Sequence, residues 1–173
     1  DQALDLVLNQ TKSLTSETIE LNQALNRYLA TDLYSPISLP LFAQSAVDGY
    51  AICSKSAIGP HTEFELIGEI QAGHSSPLQL KAGQAVRIFT GAKIPTGTTT
   101  VARQEIVHVF DTSKIAVTEY LKAHTDIRDL GEEVSVGQLL ARARQQLSIG
   151  AIAALNMAGI QKVDVFRYPN VAV

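Results

Sequence analysis

A chain of 173 residues, 46% of them hydrophobic, is long enough to bury one or two ordinary cores, yet no apolar run approaches the roughly 18 residues of a membrane span, so a cytoplasmic protein is expected. Its single cysteine, Cys53, excludes an internal disulfide framework, and without a second cysteine or a closely spaced histidine pair a structural zinc site is not expected either. A net charge of −3, 6% aromatic residues and no tryptophan give neither the basic field nor the stacking surface of a nucleic-acid binder.

From Gln2 to Leu14, Leu4, Leu6, Val7, Leu8 and Leu14 form a loose helical stripe, with Asp1 near the positive end of the helix dipole. Glu17 to Leu21 alternates and predicts a strand. Asn22 then reads as the N-cap of a short helix, Gln23 to Tyr28, with Leu25 and Leu29 on its buried side. Leu29 to Ser35 leads out extended, and Pro36 and Pro40 disfavour helix just before them. A domain boundary is expected here.

Pro40 to Ile52 reads PLFAQSAVDGYAI, without the period of a helix or a surface strand, as a shaped loop entering a strand does. Asp48-Gly49 is either a tight turn into a strand at Tyr50 to Cys53, or a carboxylate beside a residue that lets a ligand or metal approach the backbone. Between Tyr50 and Tyr120, β-branched runs alternate with glycine and proline. Further strands are predicted at Glu63 to Ile70, Ala85 to Phe89, Thr99 to Arg103, Ile106 to Phe110 and Lys114 to Thr118, with a turn at Asp111-Thr112-Ser113. Within Gly83 to Gly97, a strand ends in Thr90-Gly91 and a loop closes at Pro95 and Gly97. That loop is an ordinary turn, or it offers a hydroxyl and several free backbone N–H groups to phosphate or an oxyanion. It is not a P-loop.

Asp126 to Val134, DIRDLGEEV, sets four carboxylates and Arg128 around Gly131. It suits magnesium or an anionic substrate, and equally a solvated charged turn. Helical character returns after Gly137, and Ser148 caps a helix from Ile149 to Met157 that stops at Gly159. Lys162 to Arg167 reads as a strand, Tyr168-Pro169 breaks it, and Val171-Ala172-Val173 resembles the first residues of another. The expected fold class is α+β: a mixed domain from residues 1–38 and 138–170, an inserted β-rich, barrel-like domain from 39–137, and at 171–173 the start of a downstream domain.

These stretches, in this order, resemble the molybdopterin molybdenumtransferase family, the MoeA proteins and the gephyrin E domain. The family pattern P-x-F-D-N-S-A-M-D-G-Y-A stands here as Pro40 to Ala51, R-I-x-T-G-A-x-x-P as Arg87 to Pro95, V-V-x-Q-E as Val101-Ala102-Arg103-Gln104-Glu105, and N-I-R-x-x-G-E-D as Asp126 to Glu133. A later A-S-L-G-I is echoed by Leu155 to Ile160. The resemblance implies an enzyme that takes adenylylated molybdopterin and molybdate, releases AMP and leaves molybdenum on the dithiolene sulfurs, assisted by a divalent cation such as Mg2+. It implies that Asp48, Thr90 and Glu133 are catalytic, Asp48 and Glu133 being oxygen donors to the metal, and that Ser45, Gly49, Gly91 and Arg128 bind substrate. It also implies further domains, an elongated homodimer with its active site between subunits, and a fragment that is inactive alone. Ala43, Gln44, Lys93 and Glu133 depart from the pattern, and glutamate at 133 sets its carboxylate a methylene farther from the backbone. A non-catalytic scaffold or binding module of the same fold is the alternative, and a small-molecule-binding β domain ranks third. Convergence of Asp48, Thr90 and Glu133 on one cleft would favour the enzyme.

Overall fold

The computed structural model describes residues 2–74 and 77–172. In chain order it contains helix α1 (Gln2–Gln10), strands β1 (Ser16–Glu20), β2 (Leu33–Tyr34), β3 (Gln44–Ser45), β4 (Gly49–Ile52), β5 (Thr62–Ile70), β6 (Gln84–Ile88) and β7 (Thr100–Arg103). There follow β8 (Val107–Asp111), β9 (Lys114–Val117), β10 (Ile127–Arg128), β11 (Leu139–Ala141), helix α2 (Ile149–Met157) and β12 (Lys162–Phe166). Strands predominate, and no helix among the described residues is long and apolar enough to cross a membrane. The chain divides into two compact units, Asp1–Ser38 with Val134–Val173, and Leu39–Glu133.

The first unit joins the two ends of the sequence. β1 pairs antiparallel with β12, from Ser16 opposite Phe166 to Glu20 opposite Lys162, and β2 pairs with β11. Leu29, Leu147, Leu155 and Val165 form the fully enclosed centre of its core. Ser148 caps α2 by accepting a hydrogen bond from the Ala151 N–H at 3.2 Å, and Gly159, with φ of 83°, ends it. The Gly159 N–H reaches the Asn156 carbonyl and the Ile160 N–H the Leu155 carbonyl, which satisfies carbonyls the helix leaves open. Arg27 is buried, donating to Glu17 at 2.6 Å and to the Phe166 carbonyl at 2.8 Å, with its guanidinium 4.3 Å from the Tyr168 ring centroid.

Several local expectations fail here for tertiary reasons. The helix expected from Gln23 to Tyr28 is instead one 3-10 turn at Leu21–Gln23 without a side-chain cap. Asn26 takes a left-handed φ of 62°, and its N–H, like those of Leu29 and Leu147, bonds across to a facing segment rather than within a helix. Leu29 is buried as expected, but Leu25 is 44% exposed. α1 ends at Gln10, and Leu4, Leu6, Val7 and Leu8 are all exposed; Asp1, expected at its dipole, lies outside the described residues. Helical character does not resume directly after Gly137, because residues 139–141 pair as β11. Val171 and Ala172 join no strand, and Val173 lies outside the described residues.

The second unit is built on a six-stranded sheet in the order β7-β4-β6-β5-β9-β8, in which only β5 and β6 run parallel. Its alternation buries both faces. Tyr50, Ile52, Ala85 and Ala102 belong to one apolar cluster, while Ala51, Val86, Ile88 and Val101 belong to another. β4, wholly buried, lies between β6 and β7, with Gly49 opposite both Ile88 and Arg103. At the hairpin between β8 and β9, the Ser113 N–H and hydroxyl both donate to Asp111, at 2.7 and 2.8 Å. These bonds lower the Asp111 pKa. The two ends of the unit meet: the Gly131 N–H donates to the Pro40 carbonyl at 3.0 Å and the Glu133 N–H to the Leu39 carbonyl at 2.9 Å.

Candidate functional site

Asp48 is the residue from which β4 departs, and its carboxylate turns toward the end of β6 rather than capping its own turn. Its Oδ1 accepts both the Thr90 N–H and the Thr90 hydroxyl, each at 2.8 Å. Although the side chain is exposed, these bonds hold its pKa below the ordinary carboxylate range, the backbone donor having the larger effect and nearby Arg87 a smaller one. Asp48 is thus an oriented, ionised carboxylate whose Oδ2 lies outside the pair of Thr90 bonds.

Asp48 and Thr90 line one open cleft of about 450 Å³ with Ala46, Val47, Arg103, Gln104 and Glu105. Residues 46–48, which lead into β4, supply the first wall, and Arg103 at the end of β7 with the 3-10 turn Gln104–Ile106 after it supplies the second, joined by a bond from the Gln104 N–H to the Asp48 carbonyl at 3.1 Å. Gly49 permits this junction. A Cβ on it would lie 2.0 Å from the Ala102 carbonyl oxygen, a separation no side chain tolerates, so the glycine serves strand packing.

The remaining residues implicated by the sequence do different things. Ser45 is buried, its hydroxyl donating to the Val47 carbonyl at 2.6 Å, while its N–H bonds the Ala92 carbonyl and its carbonyl receives the Gly91 N–H. It shapes the loop from within. Gly91 takes a left-handed φ of 79°. Of the two readings of this loop, the ordinary turn fits: the N–H groups of Thr90, Gly91, Ala92 and Ile94 are not free but bonded to Asp48, Ser45, Phe89 and Ala43 respectively. The loop folds onto its own chain, so it offers no open anion nest at these positions.

The acidic stretch is likewise paired internally. Asp126 takes a bidentate contact from Arg103 at 2.9 and 2.8 Å, Asp129 meets His124 at 2.8 Å, Glu132 accepts the Asp129 N–H at 2.9 Å, and Arg128 pairs with Glu133. Neither Glu133 nor Arg128 is among the residues lining the Asp48 cleft. Two members of the expected triad therefore meet in one cleft, and the third is engaged by its own arginine. No group of three or more His, Cys, Asp or Glu residues suited to a metal occurs among the described residues. Magnesium, however, is commonly held by one or two carboxylates together with substrate phosphate, and the ionised, half-engaged Asp48 fits that mode.

Residues singled out only by structure are Arg87, Arg103, Gln104 and Glu105. All four lie in motifs visible in the sequence, but the place of Arg103, Gln104 and Glu105 beside Asp48 depends on the β4–β7 register, which no local signal encodes.

The comparisons with known proteins follow the same stretch of chain. A family model described as the MoeA N-terminal region (domain I and II) matches residues 1–159. The molybdopterin molybdenumtransferase of Haemophilus influenzae is 35% identical over 174 residues, covering 100% of this chain and 43% of that protein. A Staphylococcus aureus protein of the same name (strain MSSA476) is 33% identical over 177 residues, covering 99% of this chain and 42% of its own. Among solved structures, the molybdopterin biosynthesis MoeA protein from Pyrococcus horikoshii OT3 gives a TM-score of 0.87 at 31% identity, covering 95% of this chain and 45% of that one. The chain spans less than half the length of the curated relatives it matches.

Proposed function

The chain belongs to the MoeA N-terminal region family, and we propose that it forms one wall of the active site of a molybdopterin molybdenumtransferase acting in molybdenum cofactor synthesis. In the whole protein, a cytoplasmic homodimer, the reaction takes adenylylated molybdopterin and molybdate, breaks the diphosphate link and releases AMP. The two compact units correspond in this reading to a mixed α+β domain made from both chain ends and an inserted, barrel-like β domain.

The observation that carries the reading is the Asp48–Thr90 pair in an open cleft. Thr90 fixes the carboxylate and keeps it charged. Asp48 then orients a hydrated cation or a water near phosphorus, and Gly49 keeps the strand junction behind it closed. Asp48 and Glu133 are the carboxylates that would hold Mg2+, Glu133 by exchanging its contact with Arg128, which would thereby be freed to clamp an anion. A bound magnesium ion would neutralise diphosphate charge and act as a Lewis acid. Ser45 and Gly91 contribute to substrate binding through the loop shape they maintain. Among these side chains none stands out as a nucleophile, so the bond to phosphorus is broken by attack of an oxygen from outside the chain.

A second reading, a non-catalytic binding module of the same fold, draws on one feature: every carboxylate of the acidic stretch is already paired within the protein. One assay separates the two. AMP release from adenylylated molybdopterin, with molybdate and magnesium, is measured for the native-length protein and its Asp48→Ala variant. The enzyme reading expects molybdate-dependent release, reduced about tenfold or more in the variant, a barrier change of about 1.4 kcal/mol, and none from residues 1–173 by themselves. No release by folded, native-length protein would transfer support to the binding module.

A further inference from the structure

Gln104 lines the Asp48 cleft, and its carboxamide is set before any ligand arrives. A guanidinium carries donors only, so the atom 2.7 Å from the Arg87 Nη2 is the amide oxygen of Gln104, and the orientation of the carboxamide follows. Its Nε2, with two N–H donors, is turned to the other side, where the Glu105 Oε1 lies 3.5 Å away. That contact is too long to be a strong bond, so an N–H can leave it for a ligand at little cost. Arg87 is itself held: its guanidinium carbon lies 4.9 Å from the Tyr50 ring centroid and 5.2 Å from that of Phe89. Tyr50 is buried in the sheet, which gives the arginine a rigid seat.

An anionic ligand entering this cleft meets two carboxylates, Asp48 and Glu105. The one cation among the lining residues, Arg103, is committed to Asp126 through two bonds. The Gln104 carboxamide is the neutral donor at the same strand junction as Asp48. We propose that Gln104 is a substrate-binding residue that donates to an anionic oxygen of a diphosphate ester, and that Arg87 is the positioning residue that presets it. The assignment rests on the diphosphate-cleaving reading above for the identity of its ligand.

Gln104→Glu in the native-length protein keeps the side chain's shape and its partner Arg87 but replaces the donors with an acceptor. KM for adenylylated molybdopterin should rise about tenfold or more with kcat within about twofold. Arg87→Met should raise KM about threefold alone and add nothing further on top of Gln104→Glu, because the two act as one unit. An Arg87 effect that adds fully to Gln104→Glu would overturn its positioning role. An unchanged KM in Gln104→Glu would overturn the binding role while leaving the reaction in place. Where the native-length protein releases no AMP, titration calorimetry with inorganic pyrophosphate decides. Binding weakened by a similar factor in Gln104→Glu upholds the assignment without the reaction, and equal binding by both proteins, or binding by neither, overturns it.

Discussion

The Asp48–Thr90 contact is where sequence and chemistry meet at the scale of single residues. Asp-Gly and Thr-Gly are both legible as special dipeptides, because glycine relaxes the backbone beside a polar group. That the carboxylate of one accepts the donors of the other is not legible, since it arises from the pairing of β4 with β6. The same limit hid the part played by Gln104, whereas the engagement of Glu133 by Arg128, five residues before it, is a local pairing. The contact makes a signed prediction about pH. A carboxylate whose folded pKa is depressed contributes stability above its unfolded pKa and loses it as pH falls through the folded value. Thr90→Val removes the hydroxyl and keeps the backbone donor, so the Asp48 pKa should move part of the way back toward the ordinary carboxylate value. The stability difference between the two proteins should be full at neutral pH and vanish in acid. Carboxylate 13C shifts followed through a pH titration check this, and an Asp48 that titrates identically in both proteins would remove Thr90 from the account.

Among elements, β4 is the least forgiving. Its residues are buried on both faces, and at Gly49 even a methyl group would collide with the backbone of β7. Gly49→Ala should therefore cost about 3 kcal/mol, at the upper end of ordinary overpacking because backbone rather than a side chain must yield. The midpoint of denaturant unfolding measures it, and a loss under about 1 kcal/mol would mean that the β4–β7 junction is looser than it looks. The strands of this sheet were readable because β-branched runs ended at glycine and proline, and α2 because Ser148 and Gly159 bracket it with local capping chemistry. Elements whose partners lie far along the chain were not. Gln23 to Tyr28 reads as helical, but Asn26 and Leu29 bond to the segment around residues 145–147, and that nonlocal choice outweighs propensity. α1 matched its helical period, yet its apolar residues face solvent, because period alone does not say what covers a face.

Along the chain, the unit Leu39–Glu133 is an insertion between the two segments that make up the other unit. Since the ends of the inner unit are joined by the bonds of Pro40 with Gly131 and Leu39 with Glu133, residues 39–133 produced alone should fold, with a cooperative thermal transition and dispersed amide resonances. A non-cooperative, poorly dispersed product would show that the inner unit depends on its host. The outer unit has a different history during synthesis. β1 emerges from the ribosome early, but its partner β12 follows only after the whole of residues 39–133 has been translated. Until then the edge of β1 that β12 will cover is open to any other strand nearby, so this segment of the nascent chain is exposed to mispairing. Speed of translation through the inner unit, rather than the strength of any single contact, sets how long that exposure lasts.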